Sequence, residues 1–112
     1  MTTYDPAQTD GLTPSFISDG KAELNVIIAD PVDVSVVLHK VLQRHAASLV
    51  TDQNVELVSS ALDVTGGPSG TPLQLSSFVD RQTRSLLFMH GVATCDAAPR
   101  IRLTAIYKII AA

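Results

Sequence analysis

The break between the apolar run Val26-Ile27-Ile28 and the periodic segment that follows holds the chemistry this chain offers most readily: Asp30-Pro31-Val32-Asp33, two carboxylates three residues apart. Asp33 has the right residue type for a nucleophile or general base acting on a carbonyl held beside it. A carboxylate in the first turn of a helix also stabilises that helix without doing any chemistry, so both roles stand open. Asp30, directly before Pro31, reads as a helix cap. The three histidines do not assemble a metal site. His39 and His45 are six residues apart and turn to different sides of a helix, which excludes a two-histidine site of the i, i+4 kind. His45 falls on an apolar stripe as a hydrogen-bonded core or interface residue, His39 faces a partner or solvent, and His90 lies packed among apolar strand residues. No metal and no cofactor is expected. Glu56 and Asp63 are the remaining acids within reach of a pocket, or simply surface strand positions. Cys95 stands alone, so it makes no intramolecular disulfide and reads as a small, partly buried side chain. The Gly66-Gly67-Pro68-Ser69-Gly70 segment lacks the Gly-Lys-Ser/Thr ending of a phosphate loop and is a turn.

The elements that must position these residues follow from periodicity. Val34, Val37, Leu38, Val41, Leu42, His45 and Leu49 recur at helical spacing and predict one helix from Pro31 to about Leu49. Its β-branched valines lower intrinsic propensity, so the helix depends on a sheet to pack against. Strand patterns cover Ala22 to Ile28, Val55 to Val64, Leu73 to Val79, Leu86 to Thr94 and Arg100 to Ile110. The short polar connections Asp80 to Ser85 and Asp96 to Pro99 allow antiparallel hairpins and no helical crossover. The order is β-α-β-β-β-β, an α+β fold with five antiparallel strands. Residues 1–18, rich in Thr, Asp, Pro and Gly and without a period, are expected to form a flexible N-terminal arm before a single domain at 19–112.

Composition narrows the function classes. With 112 residues, 46% hydrophobic and 17% charged, the chain is one globular domain with a real core. The net charge of −3 and scattered basic residues give no footprint for nucleic acid or an anionic membrane. Met1 to Ser18 has neither a basic nor an apolar region of a signal peptide, and no apolar run approaches a membrane span. A soluble protein of the reducing cytoplasm is the expectation. Along the fourth strand, Leu86, Phe88 and Val92 alternate with Leu87, Met89 and Ala93, so both faces want cover. One helix covers one face only, which predicts a homo-oligomer, a homodimer or homotetramer.

The segment Arg84-Ser85-Leu86-Leu87-Phe88-Met89-His90-Gly91-Val92-Ala93-Thr94, the Asp96-Ala97-Ala98-Pro99 turn and Arg102-Leu103-Thr104-Ala105-Ile106-Tyr107-Lys108-Ile109 resemble the closing hairpin of hot-dog-fold acyl-CoA thioesterases. The resemblance in element order covers Ala22 to Ile110 and implies a hot-dog fold, a β-sheet wrapped around one long central α-helix. It further implies hydrolysis of an acyl-CoA or acyl-carrier-protein thioester in a pocket between subunits. Under that implication Asp33 is the catalytic carboxylate, and Pro31, Val32 and Val34 hold the acyl carbonyl at the positive end of the helix. Arg81 and Arg84, beside a hairpin connection, would pair with coenzyme A phosphates. The turn before the helix contains no glycine. That departure keeps a second reading alongside the first: a non-catalytic hot-dog protein that binds an acyl or other hydrophobic ligand, or serves as a structural subunit.

Overall fold

A computed structural model of the chain describes residues 2–3, 14–27, 30–66 and 72–111. The elements in chain order are β1 (Thr2–Thr3), β2 (Ser15–Ser18), β3 (Lys21–Leu24), β4 (Val26–Ile27), α1 (Pro31–Ser48), β5 (Gln53–Val64), β6 (Leu73–Gln82), β7 (Leu86–Cys95) and β8 (Ala98–Ala111). Six strands form one antiparallel sheet in the order β2-β3-β6-β7-β8-β5, and β1 pairs in parallel with β4. The helix lies across β5 to β8.

The helix starts where the sequence demands. Asp30 has an extended backbone (φ −85°, ψ 121°), its side chain accepts the Val32 N–H at 2.9 Å, and Pro31 occupies the first helical position. It buries Val34, Val37, Leu38, Val41, Leu42 and Ala46 on the sheet. Burying a leucine or valine side chain stabilises by about 1.5–3 kcal/mol, so this stripe, rather than the propensity of a valine-rich segment, holds the helix together. The helix ends one residue before the expected Leu49, whose N–H bonds back to the Ala46 carbonyl at 3.1 Å.

On β7 the alternation is complete. Leu87, Met89, Gly91, Ala93 and Cys95 are buried under the helix, while Leu86, Phe88, His90, Val92 and Thr94 are half-buried on the outer face. On β8, Ile101, Leu103, Ala105 and Tyr107 continue the inner layer. Gly91 lets the helix side chains press onto β7: a Cβ there would lie 2.4 Å from Leu42 Cδ1 and 3.0 Å from Leu38 Cδ1.

Three differences from the sequence expectation have local causes. The sheet has six strands instead of five, because Ser15–Ser18, inside the expected arm, pairs with β3; four residues are too few to show a period. The single strand expected over Ala22 to Ile28 is two short ones, β3 and β4, that enter different sheets; Ile28 lies outside the described residues. The hairpin between β7 and β8 is tighter than expected. Its loop is Asp96-Ala97, both with positive φ (52° and 62°), and Pro99 already belongs to β8, at a register shift opposite Thr94. The Gly67 to Gly70 part of the expected turn lies outside the described residues.

Candidate functional site

Every backbone N–H in the first turn of α1 is engaged. Val32 N–H bonds the Asp30 carboxylate, and the N–H groups of Asp33 and Val34 reach the Asp30 carbonyl at 3.1 and 3.2 Å. Pro31 has no N–H to offer. The amides read from the sequence as carbonyl-holding groups are therefore occupied by the cap. The Asp33 carboxylate differs: it is half-buried and, among the described residues, has no hydrogen-bond or ionic partner. Two residues on, the Ser35 hydroxyl donates to the Val32 carbonyl at 2.6 Å and is spoken for.

Asp33 shares its side of the helix with Lys40, Arg44 and Ala47, since positions seven, eleven and fourteen residues on return to nearly the same angle. Those three residues, with His39 and Gln43, form one wall of a groove of about 430 Å³; Leu57 of β5 and Tyr107 of β8 line the rest. The groove is apolar in its floor and basic at its rim. His39 donates its Nδ1–H to the Ser35 carbonyl at 2.8 Å. Arg44 is held by Asp19 at 3.6 Å and lies over the Phe16 ring, 4.1 Å from its centroid. Burial pushes the Tyr107 phenol up to about 12, so it remains a neutral wall at any physiological pH.

The groove ends at β5, the edge of the sheet. Among the described residues this twelve-residue strand pairs with β8 on one side only, and Leu57, Val58 and Val64 along it are 43%, 59% and 55% exposed. A free edge of that length with apolar side chains is a template for another strand.

The structure separates the two arginines from the helix start. Gln43 reaches the Val55 carbonyl at 3.5 Å, and Val55 pairs with Ile109, whose N–H bonds the Ser85 carbonyl at 2.8 Å. The hairpin carrying Arg84 thus sits by the C-terminal half of the helix, about 15 Å along its axis from Asp33. Arg81 pairs in register with Phe88 and lies on the outer face of the sheet, away from the helix. Among the other acids and histidines, Glu56 and Asp63 are exposed strand residues opposite Lys108 and Arg102. His45 shares a hydrogen bond with the buried Ser77 at 2.9 Å, a structural pairing across 32 residues. His90 is held by Asp80, a partner that sequence spacing gave no means to find: the bond needs a register shift in β6 between Val79 and Arg81.

No protein-family model and no curated protein sequence matches this chain. Solved structures do match its fold. AziG from S. sahachiroi superposes with a TM-score of 0.77 over 97% of this chain and 98% of that one, at 14% identity. A thioesterase family protein from Silicibacter pomeroyi gives 0.69 over 96% and 91%, at 19% identity. A hypothetical thioesterase protein with coenzyme A, from Streptococcus pneumoniae TIGR4, gives 0.70 over 88% and 84%, at 11% identity. At these identities the likeness is one of fold, and the fold is the hot-dog fold seen in thioesterases. No helix among the described residues is long and apolar enough to cross a membrane.

Proposed function

We propose that this chain is an acyl-thioester hydrolase acting on an acyl-CoA or acyl-carrier-protein substrate, with Asp33 as its nucleophile or general base. The observation that carries the reading is the Asp33 carboxylate itself: half-buried, without a partner among the described residues, at the positive end of α1, and on the same stripe as the groove. A thioester laid along this stripe puts its carbonyl at Asp33. Its apolar part meets Leu57, Ala47 and Tyr107, and its anionic end meets the basic rim, with Arg84 on the neighbouring hairpin. The carboxylate either attacks the carbonyl carbon, expelling the thiolate and forming an acyl–Asp33 anhydride that water then hydrolyses, or takes a proton from the water that attacks and passes it to the departing thiolate. A second copy pairing along β5 covers the exposed strand and closes the groove, which makes a homodimer the working unit. A buried, single Cys95 suits a reducing cytoplasm.

One observation favours a second reading, acyl binding without hydrolysis. The cap leaves no first-turn amide open to stabilise an oxyanion, the largest usual contribution to such a reaction. Free-thiol release from a panel of short, long and aryl acyl-CoA substrates separates the two. Turnover of at least one substrate is expected; a ligand retained in native mass spectrometry, with no thiol released from any substrate, sinks the enzyme in favour of the binding protein.

A further inference from the structure

The outer face of the sheet carries a second cavity, of about 390 Å³, remote from Asp33 and not used in the proposed reaction. Four strands build it. Ser59, Ser60 and Ala61 of β5 form one side, Asp80 and Arg81 of β6 the other, and Phe88, Thr104 and Ile106 of β7 and β8 lie between. The register shift between Val79 and Arg81 inserts Asp80 as an extra residue, and its carboxylate accepts the Nδ1–H of His90 at 2.7 Å. His90 in turn stacks on Phe78, ring centroids 4.8 Å apart and 19° from parallel, and its side chain is only 18% exposed. Asp80 is thus committed to a histidine that is fixed on two sides. The neighbouring Arg81 guanidinium is left with no acidic partner among the described residues.

From this arrangement we infer that the outer-face cavity is a binding site for a small carboxylate with an apolar body, an aryl or short-chain carboxylic acid. The Arg81 fork matches a carboxylate and pairs with it through two charge-assisted bonds. The hydroxyls of Ser59 and Thr104 are further donors, and Phe88, Ile106 and Ala61 supply an apolar bed for the hydrocarbon. The lining favours a planar carboxylate over a phosphate, because the Arg81 fork is the cation that lines the cavity and the rest of the wall is hydroxyl and hydrocarbon.

Amide chemical shifts of the full-length protein, titrated with sodium benzoate and sodium hexanoate and with neutral benzyl alcohol as comparison, test the site. Saturable shifts at Ser59 to Ala61, Arg81, Phe88 and Thr104 to Ile106 are expected with the acids, with benzyl alcohol weaker by about tenfold or more. Arg81→Gln should weaken benzoate binding by about tenfold or more, and Arg81→Lys, which keeps the charge and loses the fork, by less. Arg102→Gln, on the same face opposite Asp63, should leave it unchanged. Three results overturn the site: no saturable shift at these amides, equal affinity for benzyl alcohol, or undiminished binding by Arg81→Gln in a spectrum that remains well dispersed. Concentration-dependent protection of the same amides without ligand also overturns it, since the face is then covered by a second copy.

Discussion

The two faces of the sheet are made by the same strands and differ in almost every other respect. The inner face is an apolar layer from Leu24 through Leu75, Met89 and Leu103 to Tyr107, covered by Leu38 and Leu42 of the helix. The outer face mixes half-buried Phe88 and Ile106 with charges set opposite one another across strands, Asp63 with Arg102 and Glu56 with Lys108. Period-two alternation lets one strand serve both ends at once: stability is concentrated on one side and recognition is left to the other. The helix repeats this division, with its buried stripe on the sheet and Asp33, Lys40 and Arg44 on another side.

If the division holds, equal insults to the two faces differ sharply in cost. Leu42→Ala, at the centre of the inner layer, should cost about 2–5 kcal/mol in urea unfolding, whereas Lys108→Gln on the outer face of β8 stays within about 0.5 kcal/mol. Comparable losses for the two variants would break the comparison. Gly91→Val probes the opposite error, overfilling: with Leu42 Cδ1 already 2.4 Å from the added Cβ, a loss of about 1–3 kcal/mol is expected by the same measurement.

The inner layer also sets an alkaline limit. Burial raises the Tyr107 phenol from 10.0 to about 12, so its neutral form is favoured by folding. That contribution is complete below pH 10 and is lost as the pH rises through 12. Stability measured across this window should fall more steeply in the wild type than in Tyr107→Phe; parallel curves would show that the phenol ionises as freely folded as unfolded. A small gain in stability is expected at the tip of the β7–β8 hairpin. Ala97, at φ 62°, pays the steric penalty of the left-handed region, and Ala97→Gly should stabilise by about 1 kcal/mol, read as a rise in midpoint.

How far the sequence revealed this depended on the range of each signal. Asp30-Pro31 announces the helix start through local rules alone, and the Leu38 and Leu42 stripe names the buried side, so both are legible in the chain. The meander of β6, β7 and β8 follows from short connections. Ser15–Ser18 is too short to betray a strand, and its pairing with Lys21–Leu24 is tertiary. The bond from the Val32 N–H to the Asp30 side chain follows from the cap read in the sequence, whereas the Asp33 and Val34 N–H bonds to the Asp30 carbonyl depend on backbone geometry that residue types do not fix. Asp80 meets His90 only because a register shift aims it there, and Arg81 falls on the outer face for the same reason, whereas the sequence placed it only beside a hairpin connection, as a contact for coenzyme A phosphates.

The central claim is that Asp33 does chemistry and does not merely favour the helix start, and a single substitution separates the two. Asp33→Asn removes the charge and keeps the shape. Free-thiol release by wild type and Asp33→Asn on the best acyl-CoA substrate, with unfolding of both followed in urea, gives the answer directly. Turnover should fall at least tenfold while stability changes by no more than about 1 kcal/mol, the size of a helix-dipole contribution. Undiminished turnover in a folded Asp33→Asn protein would contradict the assignment and leave Asp33 a helix-stabilising residue.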